Sequence, residues 1–508
     1  MITKHTVLIG FLSLLLATPF LFLFAGLDIA DLSKTLEVFT SESSKNTFLL
    51  LFLSCLWACF WAIPSAYFQA HFNFKFSKIL KTSLLLPLSF PVYILAYTYK
   101  GMFGPFGTTH QRIGFFFEID QLIYLSFIFS FALFPYLYLI VLNHFRYQNP
   151  HYIEAAQSLG KSMIVSILKI KIPIMLPAVF AGLSIVSMEI LNNFGAVSYF
   201  GISTFTTEIV RHWNPMDSGK SMAIALALLF TVGLFFVFEN RYKSKRQGVE
   251  QDLQTEINTI DLKPKYQVLV VFWTLIPLVF GFLLPFVQLV YWAAQDLSFI
   301  VSKELIDLTI NTLKFSSLTI ACCLLSAFAY LYVIRFYSNT LHRHLAKWST
   351  LGYAFPGVLV AIAVLQFGSG LQFFGLELKN ILSFLLIFAY IIRFQSIALN
   401  SMLSAAEKSP LVLHEASQSL GFSRWQSIKK IEWPLLKPSV WSAALLIFVE
   451  LSKELPLTIM FQQFNFETLA IHAYQLMLTD GAIYQAALPS LIIVLLGLLP
   501  LWLINKLL

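Results

Sequence analysis

The sequence predicts an all-α polytopic membrane protein made of two parallel six-helix repeats, and three observations support this prediction. First, 58% of the 508 residues are hydrophobic and only 12% are charged, whereas ordinary soluble chains have roughly 45–50% and 25%. Second, about 12 apolar stretches are long enough to cross a bilayer as helices, which takes about 20 residues each. Third, a polar segment that lies between two such stretches occurs twice.

The apolar stretches follow one another along the chain, six on each side of a charged segment. We expect each stretch to form one membrane-spanning helix. The first is expected to be an uncleaved span, because its apolar run is long for a signal peptide. The predicted spans are 7–26, 48–70, 82–100, 121–143, 177–198, 221–238, 267–292, 311–334, 351–371, 380–400, 439–460 and 484–505.

The distribution of charge predicts the orientation of these spans. With a cytoplasmic N-terminus, most of the 34 Lys and Arg residues fall in cytoplasmic segments, as the positive-inside rule expects. Both termini and both copies of the polar segment are then cytoplasmic. The net charge of +8 is explained by this topology, and no aromatic and basic pattern suited to nucleic acid accompanies it. We therefore expect a lipid bilayer around the chain and no nucleic-acid partner.

Two stretches of matching residues define the repeat. Residues 46–91 match residues 311–356, and residues 154–177 match residues 415–438 without a gap. Because six spans separate the copies, both have the same orientation, which makes the repeat parallel. The segment between the halves is too short to form a domain. The predicted organisation is a first unit at 1–238, a cytoplasmic linker at 239–266 and a second unit at 267–508.

The two polar segments, called island 1 (150–177) and island 2 (410–438), share one pattern. A short helix should begin near an acidic residue, contain small residues and end at a glycine. An amphipathic second helix should follow, delimited by prolines such as Pro173 and Pro177 where the chain re-enters the membrane. An exposed helix-turn-helix between spans suggests docking into a groove of a partner. The residues that carry the pattern are Glu154, Ala155, Ala156, Gly160, Pro173, Glu415, Ala416, Ser417, Gly421 and Pro434.

This pattern resembles the cytoplasmic EAA motif, Glu-Ala-Ala-x3-Gly-x9-Ile-x-Leu-Pro, of permease subunits of binding-protein-dependent ABC importers. Ser417 replaces the second alanine, and Ile172 and Trp433 replace the leucine. The resemblance implies an ABC importer type I permease-like fold with two fused units. It also implies that two copies of a separate cytoplasmic ABC ATPase bind the islands, and that ATP and Mg are held by that ATPase.

Island 1 also matches a loose phosphate-loop pattern at residues 155–162. No strand is expected before it, its intervening residues are not glycine-rich, and island 2 has Phe422 at the position of the lysine. We therefore predict no nucleotide site and no cofactor in this chain. No HExxH motif and no suitably placed GxSxG motif occurs, so no catalytic residue is predicted and the chain is not expected to be an enzyme.

Charged residues lie within the fifth predicted span of each unit, where each costs at least about 2.5–3.5 kcal/mol on insertion scales. On a helix, Glu450 can face both Lys453 and Glu454. These groups line the translocation path between the halves, or they form an interhelical contact or the mouth of an outer vestibule. The candidate path residues are Glu189, Asn192, Asn193, Glu450, Lys453 and Glu454.

Two outer segments, 192–213 and 453–474, resemble those of ferric-iron permeases through Phe-Gly, Thr-Phe-Thr-Thr-Glu, Lys-Glu-Leu-Pro and Asn-Phe-Glu-Thr-Leu-Ala elements. The resemblance implies a bacterial inner-membrane permease for ferric iron that receives its substrate from a periplasmic or extracellular binding protein. Permeases for thiamine, phosphonate or polyamines share parts of this similarity and remain alternatives. An ion-gradient-driven secondary transporter is a further alternative, with Glu189 and Glu450 as coupling carboxylates.

The ten histidines do not predict a metal site. His342 and His344 flank an arginine in a predicted cytoplasmic loop, and we expect both to be solvated basic residues. A permease that passes an ion should avoid a tight cage, because a site that holds its ion strongly releases it slowly.

Overall fold

The computed structural model describes most of the chain. The described residues are 4–25, 29–116, 120–146, 156, 158–213, 219–250, 259–295, 302–337, 339–371, 378–407, 416–417, 419–462, 467–479 and 483–507. Within these ranges the chain consists of helices, turns and short loops, with two strands of two residues each. The predicted all-α class is therefore confirmed.

The chain divides into two compact units. Unit N comprises Ile29–Gln295, and unit C comprises Met1–Asp28 together with Asp296–Leu508. The first helix of the chain thus belongs to the unit that the C-terminal half forms, and the first span after the linker belongs to unit N. The ends of these compact units differ from those of the sequence units predicted at 1–238 and 267–508.

The elements follow in chain order. The first helix is α1, Lys4–Ala25, in unit C. Unit N contains α2 Ile29–Val38, α3 Glu42–His71, β1 Phe72–Asn73, α4 Ser77–Ser83, the 3₁₀ helix Leu86–Ser89, α5 Val92–Phe103, α6 Thr108–Ile113, α7 Gln121–Arg146, α8 Met163–Ser166, π1 Ile167–Lys171, α9 Ile172–Asn192, α10 Gly195–Tyr199, α11 Phe205–His212, α12 Gly219–Glu250, β2 Ile260–Asp261, α13 Pro264–Leu278, π2 Val279–Leu283 and α14 Leu284–Ala293. Unit C continues with α15 Lys303–Phe336, α16 Thr340–Ser349, the 3₁₀ helix Leu351–Ala354, α17 Gly357–Gly370, α18 Leu378–Glu407, α19 Arg424–Ser427, π3 Ile428–Glu432, α20 Trp433–Ser452, α21 Pro456–Met460, α22 Leu469–Leu478 and α23 Ile483–Leu507.

Within the described residues, nine helices are long and apolar enough to cross a membrane, and there are eleven such spans if each of two bent pairs counts as one. The shorter apolar helix Gly219–Phe235 coincides with the one remaining predicted span, 221–238. Each of the twelve predicted spans therefore coincides with an apolar helix or with a bent pair of helices.

The third predicted span of each repeat is bent instead of straight. Ser77–Ser89 meets Val92–Ile113 at 90°, and Thr340–Ala354 meets Gly357–Gly370 at 112°. Each bend is at a proline, Pro91 or Pro356, whose ring pushes the preceding residue out of the helical region. Phe90 accordingly has ψ 118° and Phe355 has ψ 134°, so the first helix ends there and a new one begins after the proline.

In unit N, α9 crosses α7 closely at a glycine. A Cβ atom on Gly182 would lie 2.5 Å from Leu137 Cδ1 and 3.0 Å from Leu137 Cα. Small residues permit such close approach between membrane helices. Also in unit N, β1 pairs with β2 in parallel, and the Asn73 side-chain amide donates to Asp261 Oδ1 at 2.9 Å. The end of the linker is thereby attached to the loop after α3.

In unit C, α1 packs against α16 and α17. Ser13 Oγ and Tyr330 Oη form a buried hydrogen bond of 2.7 Å. His342 is also buried: its Nδ1 donates to Tyr337 O at 2.7 Å, and its Nε2 lies 2.9 Å from Thr6 Oγ1. The expectation that His342 is solvated is therefore wrong, because the loop assigned to it is an amphipathic helix that packs on α1.

Candidate functional site

Both islands turn sharply at a glycine in the left-handed conformation. Gly160 has φ +76° and Gly421 has φ +84°. In island 1 the amide of Lys161 donates to Ala156 O at 3.0 Å, and in island 2 the amide of Phe422 donates to Ser417 O at 3.1 Å. A bond that spans five residues around a left-handed glycine is the Schellman helix end. The predicted helix end at each glycine is thus present, while Glu154, Ala155 and Glu415 lie outside the described residues.

One small residue of the first island helix is buried in each copy. Ala156 is 6% exposed and Ser417 is 1% exposed, whereas Ala416 is exposed. Ser417 Oγ forms a 2.5 Å hydrogen bond with Ser427 Oγ in α19. The departure from the EAA pattern at Ser417 therefore adds a hydroxyl pair that joins the two helices of island 2.

A serine caps the second helix of each island. Ser162 Oγ accepts from the amide of Val165 at 3.4 Å, and Ser423 Oγ accepts from the amide of Gln426 at 3.3 Å. Gln426 Oε1 accepts in return from the amide of Ser423 at 2.9 Å, which completes a capping box. The residues of the phosphate-loop match thus form a helix end and a helix cap, and the glycine follows a helical turn.

The second island helix is continuous with a membrane span. In unit N it runs through α8, π1 and α9, and in unit C through α19, π3 and α20. Pro173 and Pro434 are the second residues of α9 and α20, directly after the π segments. Because proline lacks an amide hydrogen and crowds the preceding turn, a wider π turn accommodates it. The expectation that Pro173 and Pro177 delimit the helix is therefore wrong, since α9 continues to Asn192.

One leucine in each island is an exposed apolar side chain beside the glycine. Leu159 is 81% exposed and Leu420 is 78% exposed. Both stand one residue before the left-handed glycine, so the Schellman turn presents them in the same way. An exposed leucine alone needs no explanation, but the same placement in both copies gives each island an equivalent apolar contact point.

The polar residues near the C-terminal end of the fifth span make two kinds of contact. Glu450 Oε1 lies 2.9 Å from Lys453 Nζ, with side chains 20% and 17% exposed, as the helical spacing predicted. Glu454 lies beyond the end of α20 at Ser452, and its carboxylate faces a residue of another helix. Its carboxylate lies 3.6 Å from Arg393 Nε, and both side chains are 6% exposed.

Glu454 and its counterpart Asn193 have one role in common. Glu454 Oε1 accepts from the amide of Leu457 at 3.1 Å, and Asn193 Oδ1 accepts from the amide of Ala196 at 3.0 Å. Each side chain thus binds the start of the short helix that follows the span. Arg393 was missed at the sequence level, although an arginine inside the predicted span 380–400 was a signal that could have identified it.

Comparison with known proteins finds similarity to permease components of importers. Residues 58–241 match a family described as the binding-protein-dependent transport system inner membrane component. The chain is also similar to the Fe(3+)-transport system permease protein FbpB 2 of Haemophilus influenzae, with 24% identity over 524 residues. That alignment covers 99% of this chain and 97% of the relative. The similarity to fused permeases that the islands indicated is thereby confirmed.

Proposed function

We propose that this chain, an inner-membrane permease component of a binding-protein-dependent ABC importer, forms the translocation pathway for ferric iron. The observation that carries the choice of substrate is the similarity to a ferric permease over 99% of the chain, which includes both repeats and both outer segments. In this proposal the binding protein delivers iron at the outer face, and both termini are cytoplasmic.

Each island binds one copy of a cytoplasmic ABC ATPase, which holds the ATP and Mg. Two features support this assignment: the Schellman turns at Gly160 and Gly421 have the same hydrogen bond, and each presents an exposed leucine. Two equivalent surfaces on one chain suit two identical partners. Closure of the ATPase pair would then alternate the halves between inward-open and outward-open states.

The contacts of the intramembrane polar residues support different roles for them. Glu189 and Asn192 are half-buried, as are Glu450 and Lys453, so these four are the better candidates to line a hydrated path. Asn193 and Glu454 each bind a helix start and are better explained as structural groups. An ion-gradient-driven transporter with Glu189 and Glu450 as coupling carboxylates leaves the duplicated islands without a function.

Transport in proteoliposomes tests the substrate and the energy source together. Vesicles containing the chain together with its ATPase and its binding protein should take up ferric iron when ATP is supplied. Uptake driven by an imposed proton or sodium gradient without ATP would instead establish the secondary-transporter alternative. ATP-dependent uptake of thiamine, phosphonate or polyamine, with no iron uptake, would assign the substrate to that solute.

The leucine contact points provide a direct test of docking. Leu159→Glu combined with Leu420→Glu should lower the amount of ATPase that co-purifies with the permease, because a charge is placed at an apolar contact. The matched control is Phe106→Glu, since Phe106 is 88% exposed but lies in a segment predicted to face outward. Equal ATPase recovery from both variants would contradict docking at the islands.

A further inference from the structure

Each π segment in the island helices ends on a residue that is joined to two neighbouring membrane helices, by direct contacts in unit N and through a shared arginine in unit C. These residues, Lys171 and Glu432, are equivalent in the repeat. We propose that they are positioning residues that attach the second helix of each island to the neighbouring membrane helices of its unit. Displacement of an island would then move those membrane helices. This inference rests on the proposed docking of an ATPase on the islands.

In unit N, the ammonium group of Lys171 lies among side chains from α3 and α7. Its Nζ is 3.3 Å from His71 Nε2, 4.5 Å from the centre of the Tyr67 ring and 5.6 Å from that of Phe145. His71 Nδ1 lies 3.0 Å from Tyr67 O. Because a carbonyl oxygen only accepts and an ammonium group only donates, Nδ1 carries the hydrogen and Nε2 accepts from Lys171. The imidazole is therefore neutral in this arrangement.

In unit C, the equivalent attachment is an ion pair. Glu432 Oε1 lies 3.1 Å from Arg335 Nε, with side chains 7% and 10% exposed. Arg335 Nη1 also donates to Ala406 O at 2.9 Å. Arg335 is in the last turn of α15 and Ala406 is near the end of α18. One guanidinium group thus joins the π segment to two membrane helices.

The two attachments share their place in the fold although the charge is reversed from Lys171 to Glu432. What they have in common is therefore a mechanical connection between a π segment and two helix ends. A helix bends most easily where its hydrogen-bond ladder is interrupted, as in a π turn. Without a lateral contact there, movement of α8 or α19 would be absorbed by bending. With the contact, the movement is transmitted to α3 and α7 or to α15 and α18.

The test measures substrate transported per ATP hydrolysed in the complete importer, together with the amount of ATPase bound. Glu432→Gln and Arg335→Gln should leave ATPase binding unchanged and lower transport per ATP by about tenfold, within the range of allosteric couplings. The exchanged pair, Arg335→Glu with Glu432→Arg, restores the ion pair but not the donor to Ala406 O, so it should restore part of the loss. Lys347→Gln is the control, because Lys347 is an exposed residue of α16 in the same unit but outside the islands, and it should have no effect.

A conservative change covers the case in which the exchanged pair fails to fold. Arg335→Lys keeps the charge but loses the planar fork that reaches both Glu432 and Ala406, so its transport per ATP should be intermediate. Normal coupling in Glu432→Gln with normal ATPase binding would overturn this inference alone. A wild-type chain that binds no ATPase would overturn the proposed function instead, so the two failures are distinguishable.

Discussion

At the scale of single residues, substitutions at Gly160 and Gly421 test the effect of backbone conformation alone. A Cβ atom at either position meets nothing within 4 Å, and both glycines have positive φ. Substitution by valine should therefore cause no collision, but it should cost roughly 1–2 kcal/mol per turn in backbone strain. We expect the double valine variant to bind less ATPase in a pull-down.

Asparagine at the same two positions is the control, because it tolerates the left-handed region better than valine. The double asparagine variant should keep most of the ATPase binding. Unchanged binding and transport in the double valine variant would contradict the role of these turns in docking.

Substitution of Ser417 should have only a small effect. Its hydroxyl pairs with Ser427 Oγ, but in island 1 the equivalent serine, Ser166, donates to Ser162 O at 3.0 Å. Ser427 can bond its own helix in the same way once the partner is removed. Ser417→Ala should therefore change the free energy of unfolding by less than about 1 kcal/mol, measured as a small shift in thermal unfolding of the purified permease. A large loss of stability would show that the hydroxyl pair is needed to hold island 2 together.

The buried pair of Arg393 and Glu454 should be far less tolerant. Arg393→Leu leaves a buried carboxylate without its cation, and breaking such a pair costs about 3–5 kcal/mol. Glu454→Gln in addition removes that charge and keeps an acceptor for the amide of Leu457. The double variant should therefore recover much of the thermal stability that Arg393→Leu loses. Equal stability of the single and double variants would show that the charge on Glu454 is not the source of the cost.

Several residue roles could be predicted from the sequence, and others could not. The glycines followed from local backbone chemistry, and the Glu450–Lys453 pair followed from helical spacing. Pro173 was misinterpreted because a π turn can carry a helix past a proline, and no local pattern signals that turn. His342 was misplaced because its burial depends on α1, a helix more than three hundred residues away in the chain.

At the scale of elements, the crossing of α7 and α9 depends on the absence of a side chain at Gly182. Gly182→Ala would place a Cβ atom 3.0 Å from Leu137 Cα, so the helices must separate. We expect a cost of about 1–3 kcal/mol, as for overpacked cores, seen as a lower unfolding temperature. The control is Gly233→Ala in α12, where a Cβ atom meets nothing within 4 Å. A similar unfolding temperature for both variants would contradict the importance of this crossing.

Most elements could be predicted from hydropathy, since the predicted spans coincide with apolar helices. The angle within an element was less accessible. Pro91 and Pro356 were visible in the sequence, yet a proline separates two helices in some spans and lies inside one helix in others, as Pro177 does in α9. The difference depends on whether the preceding residue leaves the helical region, which tertiary contacts decide.

At the scale of the whole molecule, hydropathy predicts which segments are spans but not which unit each span joins. The sequence repeat suggested that each half forms its own unit. In the structure, α1 packs in unit C, whereas α13 and α14 pack in unit N. Each half of the sequence therefore supplies a helix to the unit that the other half forms. No local pattern carries this information, because an apolar helix surface does not specify its partner.

This exchange predicts how the chain should behave when it is cut in the linker. A protease site inserted between residues 251 and 258 separates α1–α12 from α13–α23 without removing any helix. The fragments should still co-purify in mild detergent and should retain ATP-dependent transport. The reason is that α1 remains packed in unit C, α13 and α14 remain packed in unit N, and β1 remains paired with β2.

Deletion of α1 from the cut chain should remove one of these connections and weaken co-purification. Fragments that separate as soon as the linker is cut would show that the exchanged helices do not hold the two halves of the chain together.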